Sequence, residues 1–274
     1  MKGCRFLALA AALFAALPAW AQEDGAIQDN SFLLAEAYNQ EPGVVQHINT
    51  FSRDDDTGDW VYTLTQEWPA PGQRHQLSYS IPWQRFNGSP DDSSGVDDIA
   101  INYRLQLVGD GGAPIAFSPR LTLLLPTGDE KKGLGAGAAG LQVNLPISVV
   151  LAPRFVTHFN LGATFTPDSK NPAGDEADVT AYSFGQSFVW LARPKLNALV
   201  EFVYTSGEEV TGPNATEASD GFFISPGLRW AYDFPSGLQI VPGIAVPIGA
   251  GPSSGERQVF FYLSFEHPFR RSGG

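Results

Sequence analysis

From residue 43 to the C-terminus the chain repeats one pattern: apolar and polar side chains alternate for about ten residues, then a Gly, Pro, Asp or Asn cluster interrupts them. Period-two alternation is the signature of β-strands with two unlike faces. In 59–68 the apolar set is Trp60, Tyr62, Leu64 and Trp68, with Thr63, Thr65 and Glu67 between. In 97–108 it is Ile99, Ile101, Tyr103, Leu105 and Leu107; in 139–150, Leu141, Val143, Leu145, Ile147 and Val149. The same reading holds for 74–83, 114–125, 154–165, 178–192, 195–205, 220–232, 237–248 and 257–267, and more weakly for 43–51, which makes twelve strands. Helical periodicity is nearly absent. The chain is therefore all-β, and what remains is which face meets what solvent.

In a soluble sandwich the apolar sets of two sheets meet each other. In an outer-membrane barrel they meet lipid, and the polar sets line the interior. Three features favour the barrel. No charged residue falls on the apolar set of the last eleven strands, as expected where a charge facing lipid costs about 2–4 kcal/mol at midplane. Trp60, Trp68, Trp83, Trp190, Tyr204 and Trp230 lie near strand ends, where aromatic girdles form. The connections also alternate in length: long at 52–58, 84–96, 126–138, 166–177, 206–219 and 249–256, short at 69–73, 109–113, 151–153, 193–194 and 233–236. An up-and-down antiparallel barrel sorts its loops this way, because every second turn is periplasmic. Pro119, Pro146, Pro226 and Pro242 sit inside strands and predict bulges or breaks. A propeller is disfavoured, since each repeat offers two strands where a blade needs four.

The N-terminus carries an export signal. Lys2 and Arg5 form a basic head, 6–17 an apolar core, and Ala19-Trp20-Ala21 a small-x-small end, so cleavage is expected after Ala21. The apolar core is too short to span a bilayer as a helix, which takes about 18–20 residues. The organisation expected is a signal peptide over 1–21, a periplasmic or plug segment over 22–42, a transmembrane barrel over 43–269 and a tail over 270–274. Within the second, the stretch from Phe32 to Tyr38 is rich in helix formers and reads as a short helix that plugs or caps the lumen. Disorder is the competing reading for 22–30.

With 17 Lys and Arg against 29 Asp and Glu, a formal charge of −12, nucleic acid is excluded as a natural partner. The six long connections hold 14 acidic and 5 basic residues, so the outer mouth is expected to attract cations, or simply to keep the surface soluble. The inward charges are few: Glu67, Arg104, Arg120, Arg154, Glu201, Arg229 and Glu266. A turn centred near Gly111 puts Arg104 and Arg120 on adjacent strands within a diagonal step. They are candidates for a constriction that selects by charge; the alternative is that the arginines pair with Glu67 or Glu201 to fill a narrow interior. Inward Phe223, Phe260 and Tyr262 hint at an aromatic path. Twelve strands imply a lumen between the filled interior of eight and the open channel of sixteen.

Other motifs carry little. Gly135-Ala-Gly137-Ala-Ala-Gly140 matches a dinucleotide fingerprint by letters, but a strand rather than a helix follows it. The only cysteine is Cys4, so no disulfide forms within the exported chain. His47, His75, His158 and His267 stand apart without metal-ligand spacing, and Asp54 to Asp59 lacks the spacing of a dedicated calcium loop. No catalytic residue, cofactor or metal site is indicated, and the chain does not read as an enzyme.

Glu36-Ala-Tyr-Asn-Gln-Glu41 with Gly43-Val-Val-Gln-His-Ile48, then Gly95-Val-Asp-Asp-Ile-Ala-Ile-Asn-Tyr103, and Pro119-Arg-Leu-Thr-Leu-Leu-Leu-Pro-Thr-Gly-Asp129 resemble the meta-pathway phenol-degradation family of bacterial outer-membrane proteins, over about residues 31 to 269. The resemblance implies a porin-like outer-membrane barrel acting in uptake, with aromatic compounds among its permeants, and supplies no catalytic residue. One departure is that Phe269 is followed by Arg-Arg-Ser-Gly-Gly, where such barrels usually finish on an aromatic residue. The function expected is passive uptake of small molecules, aromatic or apolar ones included, by a protein in contact with outer-membrane lipid. The alternative is a non-transporting surface anchor or adhesin with acidic outer loops.

Overall fold

The structure, a computed structural model, describes residues 31–88, 92–110 and 112–269. The expected signal peptide, residues 22–30, Gly111 and the tail from 270 lie outside the described residues. The twelve strands close into one barrel. In chain order they are β1 (Val44–Asp54), β2 (Trp60–Pro69), β3 (His75–Phe86), β4 (Ser93–Val96 and Ile99–Leu105), β5 (Ile115–Phe117 and Arg120–Leu125) and β6 (Gly140–Asn144 and Ile147–Ala152). There follow β7 (Phe155–Lys170), β8 (Glu176–Arg193), β9 (Leu196–Gly212), β10 (Ala215–Trp230 with Tyr232–Asp233), β11 (Gln239–Ala245 and Ile248–Gly249) and β12 (Gln258–Pro268). Each pairs antiparallel with the next, and β12 returns to β1 in register from Val44↔Pro268 to Asp54↔Gln258. Closure gives each of the twelve strands a partner on both sides, the condition for a sheet in hydrocarbon.

The two faces are inverted relative to a soluble protein. The fully buried side chains include Gln46, Glu201, Asn197 and Arg229, whereas Leu161 is 56% exposed, Tyr182 59% and Phe184 51%. Leu123 and Phe261 are likewise exposed, and Phe261 meets Phe51 side by side on the outer wall, ring centroids 6.4 Å apart. The apolar sets face outward and do not meet across a dry middle, so this is an outer-membrane β-barrel and not a sandwich. One part of the interior breaks the polar-inside rule: Val156, Val189, Leu191, Leu199 and Val241 turn inward near the rim that carries the termini and join Phe32 and Phe260 in one buried apolar cluster.

Three expectations are corrected. The stretch from Phe32 to Tyr38 is not helical but runs as bends and irregular backbone, because the wall of the lumen satisfies its amides in place of a helix ladder. The connections expected at 166–177 and 206–219 are mostly strand: β7 and β8 meet around 171–175, and β9 and β10 around Pro213 and Asn214, the latter at φ 52°. Alternation fades there because both faces of a strand that has left the membrane are wet, while backbone pairing continues. Of the four strand prolines, Pro119 and Pro146 separate the segments of β5 and β6, but Pro226 and Pro242 lie within continuous strand. The gap opposite Pro226 falls on its neighbour, between Ala245 and Ile248 of β11, which absorbs the missing amide donor.

Candidate permeation pathway

Residues 31–40 lie inside the barrel and cross its lumen, and the wall holds them chiefly by their backbone. The Glu201 carboxylate of β9 accepts from three successive amides, Phe32 N at 3.1 Å, Leu33 N at 3.0 Å and Leu34 N at 3.2 Å. Asn160 of β7 makes a reciprocal pair with Ala35, accepting from its amide at 3.1 Å and donating to its carbonyl at 2.7 Å. Ser148 accepts from Ala37 N at 2.8 Å, Gln106 from Asn39 N at 3.0 Å and Gln76 from Gln40 N at 2.7 Å. Gln40 in turn donates to Gln46 of β1. An irregular backbone survives in a buried place only when its polar groups are paired, and here side chains from four different strands, with Gln106 just beyond β4, receive the amides.

Side-chain packing fixes the same segment. The Phe32 ring lies against Phe260 and Tyr262 of β12, at centroid distances of 5.7 and 5.4 Å. Its seat exists because two wall positions lack a side chain: a Cβ at Gly243 would approach the ring to 2.4 Å and one at Gly227 to 2.7 Å. Gly185 of β8 makes the same allowance for Leu34, whose Cδ2 would sit 2.2 Å from a Cβ there. The segment thus occupies a recess shaped for one aromatic ring and one branched aliphatic side chain.

The structure assigns the inward charges distinct surroundings. Arg104 is buried, donates through Nη2 to Tyr38 O at 2.6 Å, through Nη1 to Glu36 O at 3.0 Å and through Nε to Asn39 Oδ1 at 2.9 Å, and stands 3.7 Å from the Glu36 carboxylate. Glu67 accepts from Gln76 Nε2 at 2.8 Å and lies 4.0 Å from Arg104. Arg120 is directly opposite Arg104 in the ladder, closer than the diagonal expected. Its Nη2 reaches Gln142 Oε1 at 3.4 Å, and its buried Nε has no partner among the described residues. Arg229 is fully buried among the β10 neighbours and donates to the Asn197 amide oxygen at 3.0 Å once that amide is turned to face it. Phe223 is half-buried at the outer end of the lumen, and Tyr262 is part of the Phe32 seat. Arg154 is exposed on the turn before β7 and does not face the lumen.

Three cavities mark the path. One of about 540 Å³ opens near the outer rim, bounded by Thr205, Asp220, Phe223, Ser253 and Glu256; Ser253 belongs to the short 3₁₀ turn Gly251–Ser253, which folds back over the wall at Phe222. A second, about 380 Å³, lies between the lumen segment and the wall at Thr50, Asn102, Arg120 and Thr205. The third, about 400 Å³, sits at the termini rim beside Gln40, Asp233 and Glu266. No residue lines both the second and the third, and residues 31–40 interpose between them.

Residues 38–253 match the sequence profile of the family described as "Putative MetA-pathway of phenol degradation". The chain belongs to this family. Among solved structures it resembles the COG4313 outer membrane channel from Pseudomonas putida F1, with a TM-score of 0.67 at 13% identity over 86% of this chain and 99% of that one. It also resembles the NanC porin, with a TM-score of 0.51 at 7% identity over 80% of this chain and 98% of that one. At such identities these likenesses establish the fold. No curated protein sequence matches the chain.

Two stretches that carry the resemblance to the phenol-degradation family meet in space at the outer side. The Asp98 carboxylate accepts from Gly128 N at 3.0 Å and Ala136 N at 2.8 Å, while Thr127 Oγ1 accepts from Ile99 N at 2.9 Å. Gly135, at φ 83°, packs so tightly on Asp98 that a Cβ would lie 2.3 Å from its Oδ1. In this family member the glycine-rich stretch is therefore a turn pinned by a carboxylate. The residues that sequence reasoning missed are the neutral clips: Gln76, Gln106, Ser148 and Asn160 look like any inward polar residue of a barrel, and nothing in their spacing marks them as partners of residues 31–40.

Proposed function

We propose that this protein is an outer-membrane channel for passive uptake of small molecules, aromatic ones among them, held closed by residues 31–40. The observation that carries the reading is the closure itself: among the described residues a largely polar lumen with cavities on both sides is interrupted by a bent, non-helical segment, and that segment seats a phenyl ring against Phe260 and Tyr262. A recess that accepts one ring from its own chain presents the same apolar floor and ring edges to a ring from outside. Arg120, aimed at the inner cavity, offers a donor to a hydroxyl or carboxylate on the same permeant. The acidic outer rim enriches cations at the entrance.

The test is conductance and flux with the mature chain and with a variant lacking residues 22–40. In planar bilayers the variant is expected to show discrete conductance steps larger and longer-lived than those of the intact chain. Liposome swelling is expected to rank small phenolics above sugars of equal mass. Replacing Arg104 and Arg120 together by Ala is expected to shift ion selectivity toward cations, and unchanged selectivity removes the arginines from the filter. The dense clasping of the segment favours a second reading, a permanently filled barrel serving as surface anchor. Absence of conductance steps from both the intact and the shortened chain decides for it.

A further inference from the structure

His47 and His267 are 220 positions apart in the chain, yet barrel closure makes them neighbours. In the β1–β12 ladder Val45 opposes His267 and His47 opposes Phe265, so the two histidines are a diagonal pair on one face. Gln46 and Glu266, the residues next to them, bond to each other at 2.7 Å inside the barrel. Alternation therefore directs both imidazoles outward, close to the rim where β1 begins and β12 ends. The rings stack at 5.3 Å between centroids, 25° apart in plane, and their Nε2 atoms approach to 3.2 Å. Both residues are half-buried, so one side of the pair stays open.

We infer that this pair is a two-histidine site for a borderline divalent transition ion, Zn²⁺ or Cu²⁺, bridging the seam between the first and last strands. Two metal–nitrogen bonds of about 2.0–2.1 Å at a tetrahedral angle place their nitrogens about 3.3–3.4 Å apart, so the observed separation needs almost no rearrangement. The His267 ring is already oriented for the task. Its Nδ1 lies 3.2 Å from the Pro268 carbonyl oxygen, which can only accept, so the proton resides on Nδ1 and the Nε2 lone pair is presented. A carbonyl behind the distal ring nitrogen is the usual support of a ligating histidine. His47, which without metal donates its Nε2 proton to His267, carries that proton on Nδ1 when the ion binds. The remaining coordination positions face the membrane rim, where water or a lipid phosphate completes them. Bound there, the ion joins the strands that close the cylinder, stabilising the barrel as any ligand of the native state does. In the sequence these histidines stand apart because their relation is created only by closure of the barrel.

The test uses the full mature chain without a polyhistidine tag, stripped of metal by chelator and held in nanodiscs. Titration with Cu²⁺ followed by electron paramagnetic resonance is expected to give one stoichiometric site with hyperfine structure from two imidazole nitrogens. Zn²⁺ is expected to compete for it and to raise the temperature at which the barrel loses its compact electrophoretic form. Both effects are expected to vanish in His47→Ala and in His267→Ala and to persist in His75→Ala, whose ring stacks on Tyr103 elsewhere on the barrel. Should His47→Ala fail to insert, His267→Gln gives the same comparison. A wild-type protein that takes up no Cu²⁺ at micromolar concentration, or a doubly substituted protein that binds it unchanged, overturns the proposal.

Discussion

Glu201→Ala removes one of the two charged clasps on the lumen segment, the other being Arg104. Its carboxylate, buried in the wall, receives the amides of Phe32, Leu33 and Leu34 at 3.0–3.2 Å. Hydrogen bonds to a charged group contribute about 1.5–3 kcal/mol each. Water in the lumen re-solvates part of what is freed, so about 1 kcal/mol per amide is a sober discount, or about 3 kcal/mol in all. At roughly 1.4 kcal/mol per decade this shifts the ratio of open to closed barrels by about a hundredfold. Removing a buried carboxylate also removes its desolvation cost, so the barrel itself should keep its resistance to heat in detergent. The assay is single-channel recording of open probability, with heat modification as the control for folding. Glu201→Gln, which keeps an acceptor oxygen but not the charge, should fall between, near tenfold. If Glu201→Ala leaves open probability at the wild-type value in a barrel of unchanged heat resistance, the carboxylate is not the clasp and the gating argument fails.

Gly243→Leu fills the seat of the Phe32 ring, where even a Cβ comes within 2.4 Å; the expected result is displacement of the segment and raised conductance, and Gly185→Ala, whose Cβ would crowd the Cδ2 and Cγ of Leu34 at 2.2 and 3.2 Å, should loosen the segment to a smaller degree. Leu123→Arg puts a charge on an outward position that is 45% exposed and should cost about 2–4 kcal/mol, read from urea unfolding in vesicles; the inward Thr122→Ser, whose hydroxyl bonds Asn102 Oδ1 at 2.7 Å, should cost less than about 1 kcal/mol because its hydrogen bond is retained. Asp98→Ala frees the amides of Gly128 and Ala136 and should loosen the turn between β5 and β6, seen as faster trypsin cleavage at Lys131 and Lys132 with barrel stability unchanged within about 1 kcal/mol.

The fold was legible because a membrane writes its demands into every second residue. Leu121, Leu123 and Leu125 can be read as one face without knowing their neighbours, since hydrocarbon tolerates no exception there. Where the strands leave the membrane the demand lapses, and Ser206 to Ser219 looks like a loop although it is paired across β9 and β10. Arg104 and Arg120 were legible as inward and adjacent, because the turn between their strands fixes the register. Their division of labour was not, since it depends on where residues 31–40 lie. Those residues carry helix propensity, but a helix needs its own amides, and a polar wall offers better-placed acceptors at Glu201, Asn160 and Ser148.

That competition explains how one interior can serve both closure and passage. On the function proposed, a lumen that carries small polar and aromatic solutes must present hydrogen-bonding groups, a ring-sized apolar recess and little net obstruction. A bent, non-helical peptide bearing one phenylalanine presents amides and a ring, and so satisfies the same surface. The segment and the permeant are then rivals for Arg104, Asn160 and the seat formed by Gly227, Gly243, Phe260 and Tyr262, and any solute that binds there bears on the closed state by mass action. The wall therefore needs no separate gate: the affinity that retains the segment sets the concentration at which a solute of matching chemistry displaces it, and weakening the clasp at Glu201 should lower that concentration by the same factor by which it raises spontaneous opening.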